Sequence, residues 1–233
     1  MTVPSIATVT YVSEIDDIQP GRRGVTRQKI LEAAYALFTA HGVKLVSVDT
    51  ISAHANVAKM TLYHHFGAKE NLVLAYLDLR AKRWTVGWLK AGVAARAHDP
   101  RARLLAVFDL LHDWFEADGF EGCPFLRIIC ESEVGSPVHK ATAQKLGQIE
   151  NYLGQLARAA SLPDPTAFAA AWMMLVEGAI LSRRSGQKNA ALTAKRAGGA
   201  LLNAWTGKGA KAVKKTRAKP PARKAPSKRK PAR

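Results

Sequence analysis

Apolar residues return at helical spacing from the first third of the chain onward. Ile30, Ala34, Leu37 and Phe38 stand at i, i+4, i+7 and i+8, which puts one apolar stripe on a helix, with Thr26 as its candidate N-cap and Gly42 at its end. A second, two-turn helix is predicted from Ser47, whose hydroxyl can cap the first free amides, with Val48, Ile51 and Ala55 as its narrow buried face. Ala55-Asn56-Val57 must then turn sharply. Asn is one of the few non-glycine residues that tolerate a left-handed backbone, and Val57 reads as the buried hinge. In the third helix Leu62 and Phe66 lie four apart and face inward, while Lys59, Met60, Tyr63 and His64 project from the other side. Lys69 opens a fourth helix, continued by Leu72, Tyr76, Leu79 and Arg83.

Beyond residue 84 the pattern stays helical, and capping residues mark its breaks. Asp99-Pro100 opens a helix through Phe115, and Gly119 to Gly122 form a loop. A helix from Pro124 or Phe125 to Glu133 follows, then Ser136-Pro137 opens one to about Ala160, and Asp164-Pro165 another to about Ser182. The last runs from about Ala190 to Trp205. No segment alternates with period two over a useful length, so the expected fold class is all-α with about nine helices.

The outward side of the third helix carries a cation, hydrogen-bond donors and a ring. A short helix of this kind fits the DNA major groove, with its N-terminal residues at base edges and its hydroxyl, imidazole and ammonium groups on phosphates. Lys69 and the free amides at the start of the fourth helix could hold a further phosphate. The bland alternative is a wet surface, with His65, beside Phe66, in a structural role.

At this point the order of elements, the run from Val57 through Ala58, Lys59, Met60, Thr61, Leu62, Tyr63, His64 and His65 to Phe66, and Lys69-Glu70 after Gly67 resemble the TetR (tetracycline-repressor-like) family of transcriptional regulators. The resemblance implies an all-helical homodimer with an N-terminal three-helix, helix-turn-helix domain and a larger C-terminal domain for inducer binding and pairing. It places Lys59, Met60 and Thr61 at bases, and Ser47, Tyr63, His64 and Lys69 mainly on the phosphate backbone. Three positions depart from the usual pattern. Asn56 stands where Gly is common, Ala58 where Ser or Thr would cap the recognition helix, and Met60 where a small residue is frequent. The missing cap costs on the order of 1 kcal/mol locally, and Met60 suits a thymine methyl better than a polar base edge.

Domain limits follow: 1–23 as a disordered N-terminal segment, 24–84 as the DNA-binding domain, 85–207 as the effector-binding and dimerisation domain, and 208–233 as a disordered tail. That tail holds 12 of the 35 Lys and Arg residues and no acid, so residues 1–207, with 23 basic and 18 acidic groups, carry only +5 of the net +17. Almost wholly Lys, Arg, Ala and Pro, the tail cannot bury a core and resembles the basic tails of histone H1-like and nucleoid proteins. It is expected to add salt-sensitive, sequence-independent DNA affinity; simple solubilisation is the alternative. A chain that merely coats DNA through this tail is the competing function.

Cys123 and Cys130 are the only cysteines, seven apart on one predicted helical segment, too few for a disulfide framework or a four-ligand zinc site. They are expected to be reduced thiols in a cytoplasmic protein, a redox-sensing role being the other option. Residues 1–25 lack the apolar core of a signal peptide, and no run of about 20 apolar residues is evident, so no membrane partner is expected. Of the seven histidines only His64 and His65 adjoin, and no HExxH, GxSxG or glycine-rich phosphate loop occurs, which argues against an enzyme and gives no reason to expect a metal or cofactor.

A small-molecule effector site, largely apolar, is expected within the C-terminal domain. Its candidates are Trp84, Trp88, Phe108, His112, Phe115, Phe125, Ile129, Met173 and Glu177, although side chains of these apolar types at helical spacing pack more often than they bind. Glu177 is the pointed one, flanked four residues away by Met173 and Leu181. Either a polar cavity, a partner such as Arg183 or Arg127, or exposure at a dimer rim would account for it. Finally, Ala169, Ala170, Gly178, Gly198 and Gly199 make the last two helices rich in small residues. The family resemblance implies that this pair forms a four-helix bundle across a dimer; ordinary packing within one chain is the alternative.

Overall fold

The computed structural model describes residues 21–205. The expected disordered segments lie outside that range, apart from Gly21 to Arg23 at the start. Among the described residues there are nine helices and no strand: α1 (Arg22–His41), α2 (Val48–His54), α3 (Lys59–Phe66), α4 (residues 69–96), α5 (Pro100–Glu116), α6 (Pro124–Glu131), α7 (Pro137–Ala159), α8 (Pro165–Arg184) and α9 (Ala190–Ala204). Four N-termini are closed by side chains as their residue types predict: Ser47 accepts from the Thr50 amide, Asp99 from Ala102, Ser136 from His139 and Asp164 from Ala167.

The start of α1 differs from expectation. Helix begins at Arg22, after Gly21, and Thr26 lies one turn inside it rather than capping it. Gly21 offers no side-chain oxygen, so neither a capping residue nor a break in pattern marked the boundary. Helix α4 also runs unbroken through residue 84, the expected domain limit. Its middle, Ala81–Lys90, is wound as a π-helix, a wider coil often associated with functional sites.

Helices α1 to α3 and the first turns of α4 share one core of Ile30, Ala34, Phe38, Ile51, Leu62, Leu72 and Tyr76, all at most 1% exposed. The rest forms a second set of packed helices in which α8 lies against α7 and α9, and α9 against α5. At its centre Trp172 is stacked on Phe168 at 5.0 Å and set against Phe108 at 5.2 Å. Gly198 of α9 lies flat on that cluster, where an added Cβ would come within 2.8 Å of Phe108 and 2.9 Å of Trp172. A glycine is needed there for close approach. Helix α4 is the connecting rod: its first part, residues 69–80, packs on both α1 and α7.

Helix α8 corrects one expectation. By length and by a mean hydropathy of 1.3 it is apolar enough to cross a bilayer, whereas no such segment was expected. One side is core, with Phe168, Trp172, Val176 and Ile180 buried; the other leaves Met174, Gly178 and Leu181 exposed.

Candidate nucleic-acid interface and ligand cavities

The turn between α2 and α3 is built as its residues dictate. Asn56 takes a left-handed φ of 49°, and the Val57 amide bonds back to the Ser52 carbonyl at 3.0 Å. Val57 is half-buried rather than sealed. Ala58 precedes α3 without a side-chain cap. Leu62 and Phe66 are buried and fix the roll of α3, so Lys59, Met60, Tyr63 and His64 face outward, Met60 at 76% exposure. Thr61 is half-buried and less open to a base than its neighbours.

The outward groups are not all free. The Lys59 ammonium stands 2.9 Å from an Asp49 oxygen on α2, a hydrogen-bonded pair that raises its pKa. The Ser47 hydroxyl bonds the Thr50 amide at 3.0 Å and the Thr50 hydroxyl at 2.8 Å, so its first duty is as a cap. Lys69 donates to the Val43 carbonyl at 2.7 Å and thereby ties α4 to the α1–α2 turn; partial burial lowers its pKa. His65 lies near its neighbour His64 and near Arg23 and Arg27 of α1, and desolvation first, then those positive groups, lower its pKa. Sequence reasoning missed Arg23 and Arg27, one turn apart on α1. Arg27 lies over the Phe66 ring at 4.7 Å, and both add positive charge on the α3 side. Their i, i+4 spacing beside the motif was the available signal.

In the C-terminal part the nine effector candidates separate. Trp84, Met173 and Glu177 line a small apolar void of about 10 Å³, room for one water at most. Phe108, Phe115 and Phe125 are core residues, at most 1% exposed, and with Ile129 and His112 line neither this void nor the larger cavity described next. The residue types were right for a pocket, but tight packing has used most of them as core. Glu177 has neither Arg183 nor Arg127 as its partner. Arg183 donates to the Phe115 carbonyl at 2.7 and 3.1 Å, and Arg127 to that of Glu121.

Desolvation, then the nearby Glu150 carboxylate, raise the Glu177 pKa. An acid whose pKa is higher folded than unfolded contributes a penalty that grows as pH rises through the folded value and vanishes as pH falls below the ordinary carboxylate range. Glu177→Gln is therefore expected to melt at a higher temperature than the parent at pH 7, with the difference closing toward pH 4.5. Melting curves across that range check it.

The larger cavity, about 440 Å³, lies where α1, α4 and the α5–α6 connection meet, and Trp84 and Trp88 are the candidates that line it. Cys123, the residue before α6, is buried, and burial pushes its thiol away from thiolate chemistry, while Cys130 within α6 is exposed.

A three-helix unit with an exposed third helix, joined by one long helix to a second helical body, has the arrangement of a helix-turn-helix protein. Residues 30–76 match the model of the family described as bacterial regulatory proteins, tetR family. The chain is 27% identical over 89 residues to the HTH-type transcriptional regulator QacR of Staphylococcus aureus, covering 38% of this chain and 47% of that one. It is 32% identical over 122 residues to the HTH-type transcriptional activator FasR of Mycolicibacterium smegmatis, covering 52% and 55%. It thus spans about half the length of these curated relatives. A TetR-family transcriptional regulator from Streptomyces coelicolor superposes with a TM-score of 0.70 at 27% identity, over 77% of this chain and 89% of the other. The match to the family model is confined to the first four helices, and the fold of the described residues is similar to that of solved TetR-family regulators.

Proposed function

We propose that the protein is a sequence-specific DNA-binding repressor that works as a homodimer and is released from a palindromic operator by a small-molecule effector. The observation that carries this is α3 itself: Leu62 and Phe66 lock its inner face, and Lys59, Met60, Tyr63 and His64 face outward in the order a major-groove reader needs, Lys59 held by Asp49. Met60 meets a base edge, Lys59 and Tyr63 flank it, and Lys69 and His64 approach phosphates. The reading favours regulation over DNA coating because it needs shaped contact, whereas coating rests on residues 208–233 alone.

A homodimer is supported by the bare side of α8. Met174 and Leu181, 71% and 67% exposed, lie on either side of Gly178, and Leu192 of α9 is 40% exposed. A two-fold copy laid on α8 and α9 would cover them in a four-helix bundle and set two α3 helices about one helical turn of DNA apart. An effector that prefers a conformer with a different spacing weakens DNA binding by linkage.

Selection of bound duplexes from a random pool tests the reading. An inverted repeat is expected, and a pool enriched for no sequence would refute it. Removing residues 208–233 is expected to leave the selected sequence unchanged and to flatten the salt dependence of binding. Loss of all selectivity on that truncation would favour the coating role. Placing the operator over a promoter in a reporter strain then separates repression from activation.

A further inference from the structure

The 440 Å³ cavity has the size of a small-molecule site and, unlike the small apolar void in the C-terminal core, a wall that mixes aromatic and charged side chains. Tyr35 of α1, Trp84 and Trp88 of α4, and Trp114 and Phe120 from the end of α5 and the loop after it supply flat apolar surface. The tryptophans pack as one cluster, with ring centroids 4.9 to 5.8 Å apart.

Arg80, also on the wall, is only 4% exposed, yet no carboxylate among the described residues pairs with it. Its Nη1 donates to the Tyr35 hydroxyl at 3.0 Å, and its Nε finds no partner. The neighbouring Arg83 is different, since Glu32 takes it in a two-point pair with one bond at 2.9 Å. A buried guanidinium left without an anion is costly, and an anionic oxygen in the adjoining space would offset that cost. Two more wall residues carry unpartnered buried atoms, Trp84 Nε1 as a donor and Glu121 Oε2 as an acceptor.

We propose that this junction cavity binds a flat aromatic carboxylate of about two rings, its carboxylate toward Arg80 and its rings among Trp84, Trp88 and Trp114. A hydroxyl on the far ring reaches the Glu121 carboxylate. Such a ligand touches the DNA-reading domain through α1, the connecting helix at its π-wound stretch and the C-terminal domain through the α5–α6 connection, so it acts as a wedge between them. This last step rests on the DNA-binding reading above; the binding site does not.

Calorimetric titration of the full-length protein with 6-hydroxy-2-naphthoate tests the site. One molecule is expected per protomer, with 2-naphthol, which lacks the carboxylate, at least tenfold weaker and 2-naphthoate weakened less. Arg80→Met should cost at least tenfold. Should that variant not fold, Ala36→Phe decides, since it fills the cavity from the exposed side of α1 and is expected to abolish binding with the melting temperature retained. Absence of binding to the parent protein, equal affinity for 2-naphthol, or undiminished binding by Ala36→Phe would overturn the site. With the site established, the same ligand is expected to weaken operator binding at least tenfold; unchanged operator affinity overturns the wedge alone, and a protein that selects no operator overturns the regulatory reading while leaving the site standing.

Discussion

Replacing Trp172 by alanine is expected to destabilise the protein by about 3–5 kcal/mol. Trp172 is fully buried, stacked on Phe168, set against Phe108 and covered by Gly198, so no neighbour can collapse into the space that its removal leaves. Helices α5, α8 and α9 all meet at this ring. Trp172→Phe retains the stacking and also removes a buried indole N–H that has no partner, and should therefore lose markedly less. Urea unfolding of both variants measures the difference. A loss under 1 kcal/mol for Trp172→Ala would mean that this cluster is not what organises the C-terminal core.

The second large effect belongs to α3. Tyr63 and Lys59 are exposed and contribute little to folding, so the double variant Tyr63→Ala, Lys59→Ala is expected to melt like the parent. Each lost contact to DNA costs about 1–3 kcal/mol, and together they should reduce affinity for the selected operator about a hundredfold or more. Because Asp49 holds Lys59 in an ion pair close to where phosphates would pass, Asp49→Asn should act in the opposite direction and tighten binding. Fluorescence anisotropy at fixed salt distinguishes the two directions. Met60→Ala should alter which base is preferred more than it alters overall affinity.

Much of the fold could be read from the chain because its helix ends are written in side chains. Ser47, Asp99, Ser136 and Asp164 each cap the helix they precede, and three of them are followed by a proline whose fixed φ suits a first turn. Asn56 marked the tight turn for the same local reason. Where no such residue stands, the boundary was hidden, as at Gly21, and the π-wound part of α4 has no sequence signature that periodicity can show.

The outward face of α3 was equally legible, since Leu62 and Phe66 fix its roll. What eluded sequence were the tertiary attachments. Lys69 is fastened to the Val43 carbonyl 26 residues away and Lys59 to Asp49, so cations that read as free are partly engaged. The effector candidates show the same limit. Aromatic type and spacing identify residues that will be buried, but only the assembled helices decide that Phe108, Phe115 and Phe125 are core while Trp84 and Trp88 border an open space. Tyr35 and Arg80, separated by 45 residues and joined by one hydrogen bond, belong to that space and left no trace in local pattern.

The central claim is that α3 enters the major groove, twice, by symmetry. Methylation of guanine N7 on the selected operator tests this most directly, because N7 lies in the major groove alone. Bound protein is expected to shield N7 in two patches about 10 base pairs apart, and the double variant at Tyr63 and Lys59 should lose both. Uniform shielding along the duplex, or guanines equally reactive in the bound and free operator, would contradict it.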